Sequence, residues 1–440
     1  MRKLILLFIL FSLSLAGQPM QILCGSDFAN NSPSLQEMVE PLLKLQREGK
    51  LDGTVLIAKG SGQVFILHNS GDGLDPCQGM RGQYYLASTG KQMIAVAVLK
   101  AIYDKVKGNS EEICVDQVKL ELNKPLLHFL PANDKIWRGQ VPEWANKVTI
   151  HQLLTHQSGI PDFTRFPAFF EKNSAGEQFE ESPHETWEFL KIIEGQSLDF
   201  EPGTSESYSN TGYTLIKEVI RAVTQMPAED YMNQNLFQTL GMNDTLAVKE
   251  GNWLTLRQQE PTNCLLKPLR YDPTSKSQSV YLPQHLPDAG GGGPTSIIST
   301  AIDLLKWNLA LHRDHCCLPA ALYELVIAPH SKGPSGFGYG YGIARDKTYF
   351  GTALNHSAGS ARMIYVPSKE ISLIVLTHVS YDWDRVEEII QDRIKVLESS
   401  SKNKQEAEQQ AVKEVLEQYP LANRGYEAIV AIFNQFLGLP

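Results

Sequence analysis

The residues with the clearest chemical potential in this chain are Ser88 and Lys91, within the segment YYLASTGKQM at positions 84–93. An apolar stretch follows to about Tyr103, which predicts a buried helix that begins at the serine. Residues three apart share one helix face, so the amine would lie beside the hydroxyl. Because burial lowers the pKa of a lysine, the amine could then accept the serine proton. The spacing therefore predicts a Ser–Lys nucleophile, with the helix N-terminus close to a developing oxyanion.

The same four-residue pattern occurs twice more, at Ser399–Lys402 and Ser401–Lys404, in a polar run that no apolar helix follows. A serine that caps a helix, with a solvated lysine one turn later, would also produce it. The pattern alone therefore leaves a catalytic and a structural interpretation open.

A second cluster, Tyr208-Ser209-Asn210, follows the turn-forming pair Pro202-Gly203. A tyrosine hydroxyl next to a cation can relay protons, and an asparagine amide can both donate and accept hydrogen bonds. A half-buried loop tyrosine is the alternative interpretation.

A third cluster, His356-Ser357-Ala358-Gly359, precedes a predicted strand. Small residues let a substrate approach the backbone closely, and a backbone N–H there could complete an oxyanion hole. A hydrogen-bonded turn histidine is the alternative here.

Hydrophobic patterns predict the elements that must position these clusters. Two strands at 53–59 and 63–68 flank a glycine-rich turn, and two more at 363–366 and 371–376 flank Pro367. Helical spacing occurs at 35–47 and 382–397, and segments of 104–310 also carry it. Strands and a helix at both ends, with helices between, predict an α+β fold whose sheet is closed by the two ends of the chain.

The three clusters, in this order, resemble the motifs of the penicillin-recognising serine hydrolases: class C β-lactamases, DD-peptidases, D-aminopeptidases and related esterases. Ser88-x-x-Lys91 resembles their nucleophile motif, Tyr208-x-Asn210 their second motif and His356-Ser357-Ala358 their third. Three longer stretches are also similar to family segments, and they lie at 148–161, 236–245 and 290–303. The resemblance extends over residues 35–397.

The resemblance implies a β-lactamase/transpeptidase-like antiparallel sheet flanked by N- and C-terminal helices, with a mostly helical insertion lobe. It also implies roles for individual residues. Ser88 would be acylated, Lys91 and Tyr208 would share acid–base work, and Asn210 would orient Lys91 and the substrate amide. On the opposite wall, His356 with Ser357 would face the leaving group or a substrate carboxylate, and the N–H groups of Ser88 and Gly359 would form the oxyanion hole.

One position departs from the family pattern: Ala358 stands where the family usually has glycine, and its methyl group could narrow the substrate cleft. At the first position of the third motif the family has lysine or histidine, and some of its DD-peptidases have histidine, as His356 is here. Because histidine is largely neutral at pH 7, it recognises a β-lactam carboxylate more weakly than lysine does. His356 therefore favours a DD-carboxypeptidase, a D-peptidase or an esterase. A class C-like β-lactamase and a non-catalytic member that binds peptidoglycan or a protein remain alternatives.

Charge and targeting signals restrict the partners. The 440 residues include 49 acidic and 40 basic side chains, a formal net charge of −9, so nothing favours nucleic acid. Residues 1–16 are typical of a signal peptide, with Arg2 and Lys3 before an apolar core too short to span a bilayer comfortably and a small-x-small site at its end. We expect export, to the periplasm or outside the cell, with an uncleaved anchor as the alternative and no transmembrane span in the mature chain. The expected partners are a small peptide, ester or β-lactam substrate and peptidoglycan.

The expected organisation is a signal peptide at 1–16, a hydrolase domain at 25–397, and a linker with a short helical tail at 398–440. We favour packing of this tail on its own protein over a protein partner or a membrane. The six cysteines predict some disulfides in an exported chain. His312, His315, Cys316 and Cys317 are spaced closely enough to suggest metal ligands, but the cysteine context favours a structural role, and neither metal nor cofactor is expected.

Overall fold

The protein's structure, a computed structural model, describes residues 14–15, 18–19, 21–24, 33–47, 53–60, 63–69, 82–108, 115–166, 168, 185–248, 269–272, 277–280, 297–332, 338–345, 350–356, 359–377, 379–381, 383–398, 407, 410–411 and 414. The helices are α1 Pro33–Arg47, α2 Lys91–Lys107, α3 Val115–Leu122, α4 Leu126–Phe129, α5 Ile150–Leu154, α6 Thr186–Ile192, α7 Asn210–Thr224, α8 Ala228–Met232, α9 Ala301–Asn308, α10 Ala320–Ile327 and α11 Trp383–Glu398. The strands are β1 Ser14–Leu15, β2 Gln18–Pro19, β3 Gln21–Cys24, β4 Gly53–Lys59, β5 Gln63–Asn69, β6 Tyr84–Tyr85, β7 Leu246–Ala247, β8 Leu269–Asp272, β9 Ser277–Val280, β10 Ile297–Ser299, β11 Ala344–Arg345, β12 Phe350–His356, β13 Gly359–Val366, β14 Ile371–Thr377 and β15 Val379–Tyr381.

The main sheet joins the two ends of the chain. Its seven strands lie in the order β11-β12-β13-β14-β4-β5-β3, and all neighbours are antiparallel except β3 and β5. The strand β14 from the C-terminal part pairs with β4 from the N-terminal part, so that Leu373 lies opposite Ile57. The α+β prediction, with a sheet closed by both ends of the chain, is confirmed.

Alternation along β4 gives the sheet two apolar faces. Val55 and Ile57 pack with Val39 and Leu42 of α1, whereas Leu56 and Ala58 point into the larger core. On that second face α9 packs against β4 and β14. Because successive side chains of a strand point to opposite faces, a sheet covered on both faces needs apolar residues at every position. The nearly uninterrupted run from Val55 to Ala58 meets this need.

The helix α2 lies in the centre of the larger core. Most of its side chains, from Lys91 to Tyr103, are buried, and it packs against α7 and α3. The predicted buried helix is therefore present, but it begins at Lys91. A 3₁₀ turn, Ala87–Gly90, precedes it and carries Ser88.

The two predicted hairpins are present, and so are the helices predicted at 35–47 and 382–397. Gly53–Lys59 pairs with Gln63–Asn69, and Gly359–Val366 pairs with Ile371–Thr377 across the 3₁₀ turn Pro367–Lys369. Close to the C-terminal part, Arg393 of α11 pairs with Glu414 at 2.6 Å. The side chains of Ala407 and Ala411 are fully buried. None of the helices among the described residues combines the length and the apolar character needed to cross a bilayer.

Several predictions concern segments outside the described residues. These are most of the signal peptide (1–13), Ser357 and Ala358, the glycine-rich stretch at 290–296, Cys77, Cys114 and Cys264, and most of the linker and helical tail at 398–440. They stay predictions.

The junction of β4 with β14 provides a test of the fold. Gly53 has a φ of 98°, and a Cβ there would lie 2.0 Å from the carbonyl oxygen of Leu376. We expect Gly53→Ala to lower the free energy of unfolding by about 3 kcal/mol, because the added carbon forces β14 away. Gly241 has a φ of 64° with nothing within 4 Å of the same position, so it isolates the backbone cost. Gly241→Ala should lose only about 1 kcal/mol in urea denaturation, and equal losses for the two variants would contradict the packing argument.

Candidate active site

The turn that carries Ser88 is held by hydrogen bonds to two strands. The N–H of Leu86 donates to Ile297 of β10 at 3.0 Å, and the hydroxyl of Thr89 donates to the carbonyl of Ala361 in β13 at 3.2 Å. Ala87 directly before the serine has a φ of 43°, a left-handed conformation that costs a non-glycine residue about 1–3 kcal/mol. The strands thus hold Ser88 in a strained turn, where its side chain is only partly buried.

Lys91 occupies the first position of α2 and is 1% exposed. Its Nζ donates to Ser88 Oγ at 2.7 Å and to Asn210 Oδ1 at 2.7 Å. The same nitrogen lies 4.8 Å from the centroid of the Tyr208 ring and 5.4 Å from that of Tyr213. The amine is therefore removed from bulk water but keeps hydrogen-bond partners and two aromatic faces.

Tyr208 and Asn210 reach this amine from the start of α7. Ser209 caps the helix by accepting the N–H of Gly212 at 3.3 Å. The cap turns the preceding tyrosine towards the serine, and the hydroxyl of Tyr208 is hydrogen-bonded to Ser88 Oγ. Ser88, Lys91, Tyr208 and Asn210, which the sequence places in two separate clusters, form one hydrogen-bonded group.

Asp162, which is buried, sets the orientation of the Asn210 amide. One carboxylate oxygen accepts the Asn210 N–H at 3.2 Å and its side-chain NH₂ at 3.0 Å. The other accepts the N–H and the hydroxyl of Thr164 at 3.0 and 2.9 Å. Since a carboxylate can only accept, the NH₂ of Asn210 must face it and Oδ1 must face Lys91.

Two further residues support the site, and none of the three sequence clusters contains them. They are Asp162 and His156, whose ring contacts that of Tyr208. Both lie in or directly after the stretch 148–161 that resembles a family segment. Their place in or beside this segment was the available signal, but their partners are about 50 residues away in sequence, since Asp162 and Asn210 are separated by 48 positions. No local pattern identifies such a pair.

The ionisable groups behind Lys91 are held neutral. Burial, together with a smaller contribution from the nearby charge of Lys91, lowers the pKa of His156 to about 3. Burial raises the pKa of Tyr213 well above its usual value, and also raises that of Tyr339. At neutral pH these side chains add no charge of their own to the pocket around the amine.

The third cluster lies at the end of a hairpin beside the serine turn. His356 ends β12, Gly359 begins β13, and the two residues are paired. β12 packs against the turn Ala87–Gly90, and β13 accepts the bond from Thr89. The backbone of this hairpin therefore lies beside the turn that carries Ser88. The oxyanion role of Gly359 and the roles of His356 and Ser357 stay predictions.

The His/Cys cluster near α10 has other partners. His312 bonds the Tyr323 hydroxyl at 3.1 Å and stacks on Tyr365, and His315 bonds the carbonyl of Leu311 at 3.2 Å. Within the described part of the chain, no group of three or more His, Cys, Asp or Glu side chains is placed to hold a metal ion.

Comparison with known proteins identifies relatives of this chain. The Beta-lactamase family model matches residues 44–396. Penicillin-binding protein 4* of Bacillus subtilis is 25% identical over 255 residues, which cover 55% of this chain and 54% of that protein. A putative D-alanyl-D-alanine carboxypeptidase of Salmonella typhimurium is 28% identical over 128 residues, 29% of this chain and 28% of that protein. These matches thus span about half and less than a third of the two relatives.

A solved structure agrees on the fold. The crystal structure of a penicillin-binding protein from Bacillus halodurans superposes with a TM-score of 0.59 at 23% identity. The superposition covers 80% of this chain and 98% of the other. At this identity the likeness supports the fold alone.

The position of Asp162 generates a prediction about the reactivity of Ser88. In Asp162→Ala the amide of Asn210 is free to turn its NH₂ towards Lys91, which would remove an acceptor from the amine. We expect modification of Ser88 by an alkyl fluorophosphonate, followed by intact mass, to slow at least about 10-fold, a part of what acid–base assistance contributes.

Asp303 supplies the matched control. It is buried like Asp162, and it accepts bonds from Lys306 of its own helix α9 and from Thr245, neither of which belongs to the group around Ser88. Asp303→Ala should lower the melting temperature but leave the reactivity of Ser88 in the folded protein unchanged. If both variants slow the modification equally, the orienting role of Asp162 is wrong.

Proposed function

The chain belongs to the Beta-lactamase family, whose model matches most of it, and on this premise we propose that it is an exported serine hydrolase that forms an acyl-enzyme at Ser88. The substrate class that we propose is a D-amino-acid peptide, as for a DD-carboxypeptidase or D-peptidase, or a short ester. The family contains carboxypeptidases, amidases and β-lactamases, so hydrolysis of an acyl bond is the shared chemistry.

One observation carries the proposal: the amine of Lys91 lies 2.7 Å from Ser88 Oγ, and the hydroxyl of Tyr208 bonds the same oxygen. A serine that only capped a helix would not require a buried lysine and a tyrosine on its hydroxyl. Burial of an amine is costly unless its partners compensate, and here the partners include the hydroxyl that must lose a proton. The arrangement matches a nucleophile with its base.

The proposed reaction has two halves. In the first, the Ser88 hydroxyl gives its proton to the Lys91–Tyr208 pair as Oγ bonds the substrate carbonyl carbon, and the leaving amine or alcohol takes a proton from the same pair. In the second, water attacks the acyl carbon, gives a proton to the pair, and releases the acid as Oγ is reprotonated. The N–H groups of Ser88 and Gly359 would hold the oxyanion in both halves.

The choice of substrate rests on the third motif and on the relatives. A histidine at position 356 supplies no fixed charge for a β-lactam carboxylate at neutral pH. One relative is named a putative D-alanyl-D-alanine carboxypeptidase, and another a penicillin-binding protein. Together with the signal-peptide pattern at 1–16, these observations favour peptides of the cell wall as substrates.

Labelling tests the acyl-enzyme. We expect a fluorescent penicillin or a phosphonate to modify the wild type covalently at one site, which peptide mass spectrometry locates at Ser88. Ser88→Ala should show no labelling, while Ser399→Ala, which removes the serine from one of the other copies of the pattern, should label as the wild type does. If neither reagent labels Ser88 in the folded wild type, the protein is a non-catalytic binding member of the family.

Substrate turnover tests the finer proposal. Against a D-Ala-D-Ala peptide, short-chain esters and nitrocefin, we expect kcat/KM for nitrocefin to be the lowest. His356→Lys should raise acylation by β-lactams about fivefold, because the attraction between a fixed positive charge and the β-lactam carboxylate is worth about 1 kcal/mol. His356→Gln, which adds no charge, is the control. Strong nitrocefin hydrolysis by the wild type would favour a class C-like β-lactamase instead.

A further inference from the structure

His156 contacts the backbone on both sides of Tyr208. Its carbonyl oxygen accepts the N–H of Ser207 at 2.9 Å, and its ring Nδ1 accepts the N–H of Ser209 at 3.2 Å. The ring of His156 also contacts the ring of Tyr208, the residue between Ser207 and Ser209, with centroids 4.5 Å apart and an interplanar angle of 37°. One residue thus fixes the two peptide groups that flank the tyrosine and supports its ring from below.

The backbone of His156 is shaped for this contact. Its φ is 59°, in the left-handed region that histidine and asparagine occupy more readily than most side chains. This conformation lets the carbonyl and the ring face the same segment, 207–209. A residue that avoids positive φ could not make both bonds without strain.

Hydrogen bonding also fixes which ring nitrogen carries the proton. Because Nδ1 accepts the N–H of Ser209, the neutral ring must carry its proton on Nε2, which lies 3.3 Å from the Tyr339 hydroxyl. Tyr339 in turn is hydrogen-bonded to Tyr213, whose hydroxyl donates to the carbonyl of Leu154 at 2.9 Å. The chain of bonds ends on the backbone of α5, two residues before His156 itself.

Four titratable side chains from other parts of the chain face His156. They are Lys91 of α2, Tyr208 directly before α7, Tyr213 in α7, and Tyr339. A proton on Nδ1 would remove the acceptor of the Ser209 N–H and place a second positive charge near Lys91. Burial opposes that proton, so the acceptor is present throughout the neutral range.

From this geometry we propose that His156 is a positioning residue for the acylation step, which holds the Tyr208 hydroxyl on Ser88 through its bonds to Ser207 and Ser209. The proposal rests on the proposed function, in which Tyr208 shares the proton transfer. His156 itself does not touch Ser88, and its effect passes through the backbone of Tyr208. Packing against Tyr208 alone would not require the acceptor nitrogen of His156, whereas this positioning role does.

Two substitutions separate the acceptor from the packing. His156→Asn places Oδ1 where Nδ1 lies, tolerates the left-handed φ, and loses the ring. His156→Phe keeps a ring against Tyr208 and loses the acceptor. We expect the maximal rate of Ser88 labelling by a phosphonate to fall about 30-fold in His156→Phe and to stay within about threefold of the wild type in His156→Asn, with the half-saturating phosphonate concentration unchanged in both.

His312→Phe is the matched control. His312 is also fully buried, its pKa is lowered to about 3 by burial, and it stacks on an aromatic ring, that of Tyr365. It should lose stability in a thermal melt as His156→Phe does, with labelling at the wild-type rate.

The outcomes distinguish the positioning role of His156 from the proposed function. If the wild type does not label at Ser88, the proposed function fails. If the wild type labels and His156→Phe labels equally fast, or if His156→Asn is slowed as much as His156→Phe, the positioning role is wrong while the proposed function stands.

Discussion

The constraint on which the site depends is the burial of the Lys91 amine. An amine at 1% exposure has lost its water, so the fold must supply partners in fixed positions. Two are oxygen atoms, Ser88 Oγ and Asn210 Oδ1, each 2.7 Å away. Because one of these oxygens is the candidate nucleophile, the same interaction that makes burial tolerable places the proposed base on the hydroxyl.

Each of these partners is oriented by groups further out. Asp162 holds the amide of Asn210 so that its oxygen faces the amine, and His156 holds the peptide groups around Tyr208. The strands β10 and β13 hold the turn of Ser88. The site is therefore assembled from five separate parts of the chain, and these parts meet at the start of α2.

The sequence predicted the parts of this architecture that have local signals. Alternating and helical patterns located the hairpins at β4–β5 and β13–β14 and the helices α1, α2 and α11, and the order of three motifs indicated the fold. The apolar pattern predicts a helix that begins at Ser88, three residues before the observed start of α2. The difference arises because Ser88 lies in a 3₁₀ turn, and hydrophobic periodicity does not reveal the left-handed conformation of Ala87. The sequence does not reveal the roles of His156 and Asp162, because these roles depend on contacts between residues about 50 positions apart, 53 for His156 and Ser209. Such contacts follow from packing rather than from spacing.

The central claim is that Lys91 takes the proton of Ser88. Its most direct test is the rate of Ser88 acylation by an activated ester as a function of pH, in the wild type and in Lys91→Arg. The guanidinium keeps the positive charge and the hydrogen bonds but does not release its proton in the working range. The account predicts that the wild-type rate rises with pH to a plateau, and that Lys91→Arg, verified as folded, is slower by about 10²- to 10⁴-fold at the plateau. A Lys91→Arg protein with the wild-type rate and pH profile would contradict it.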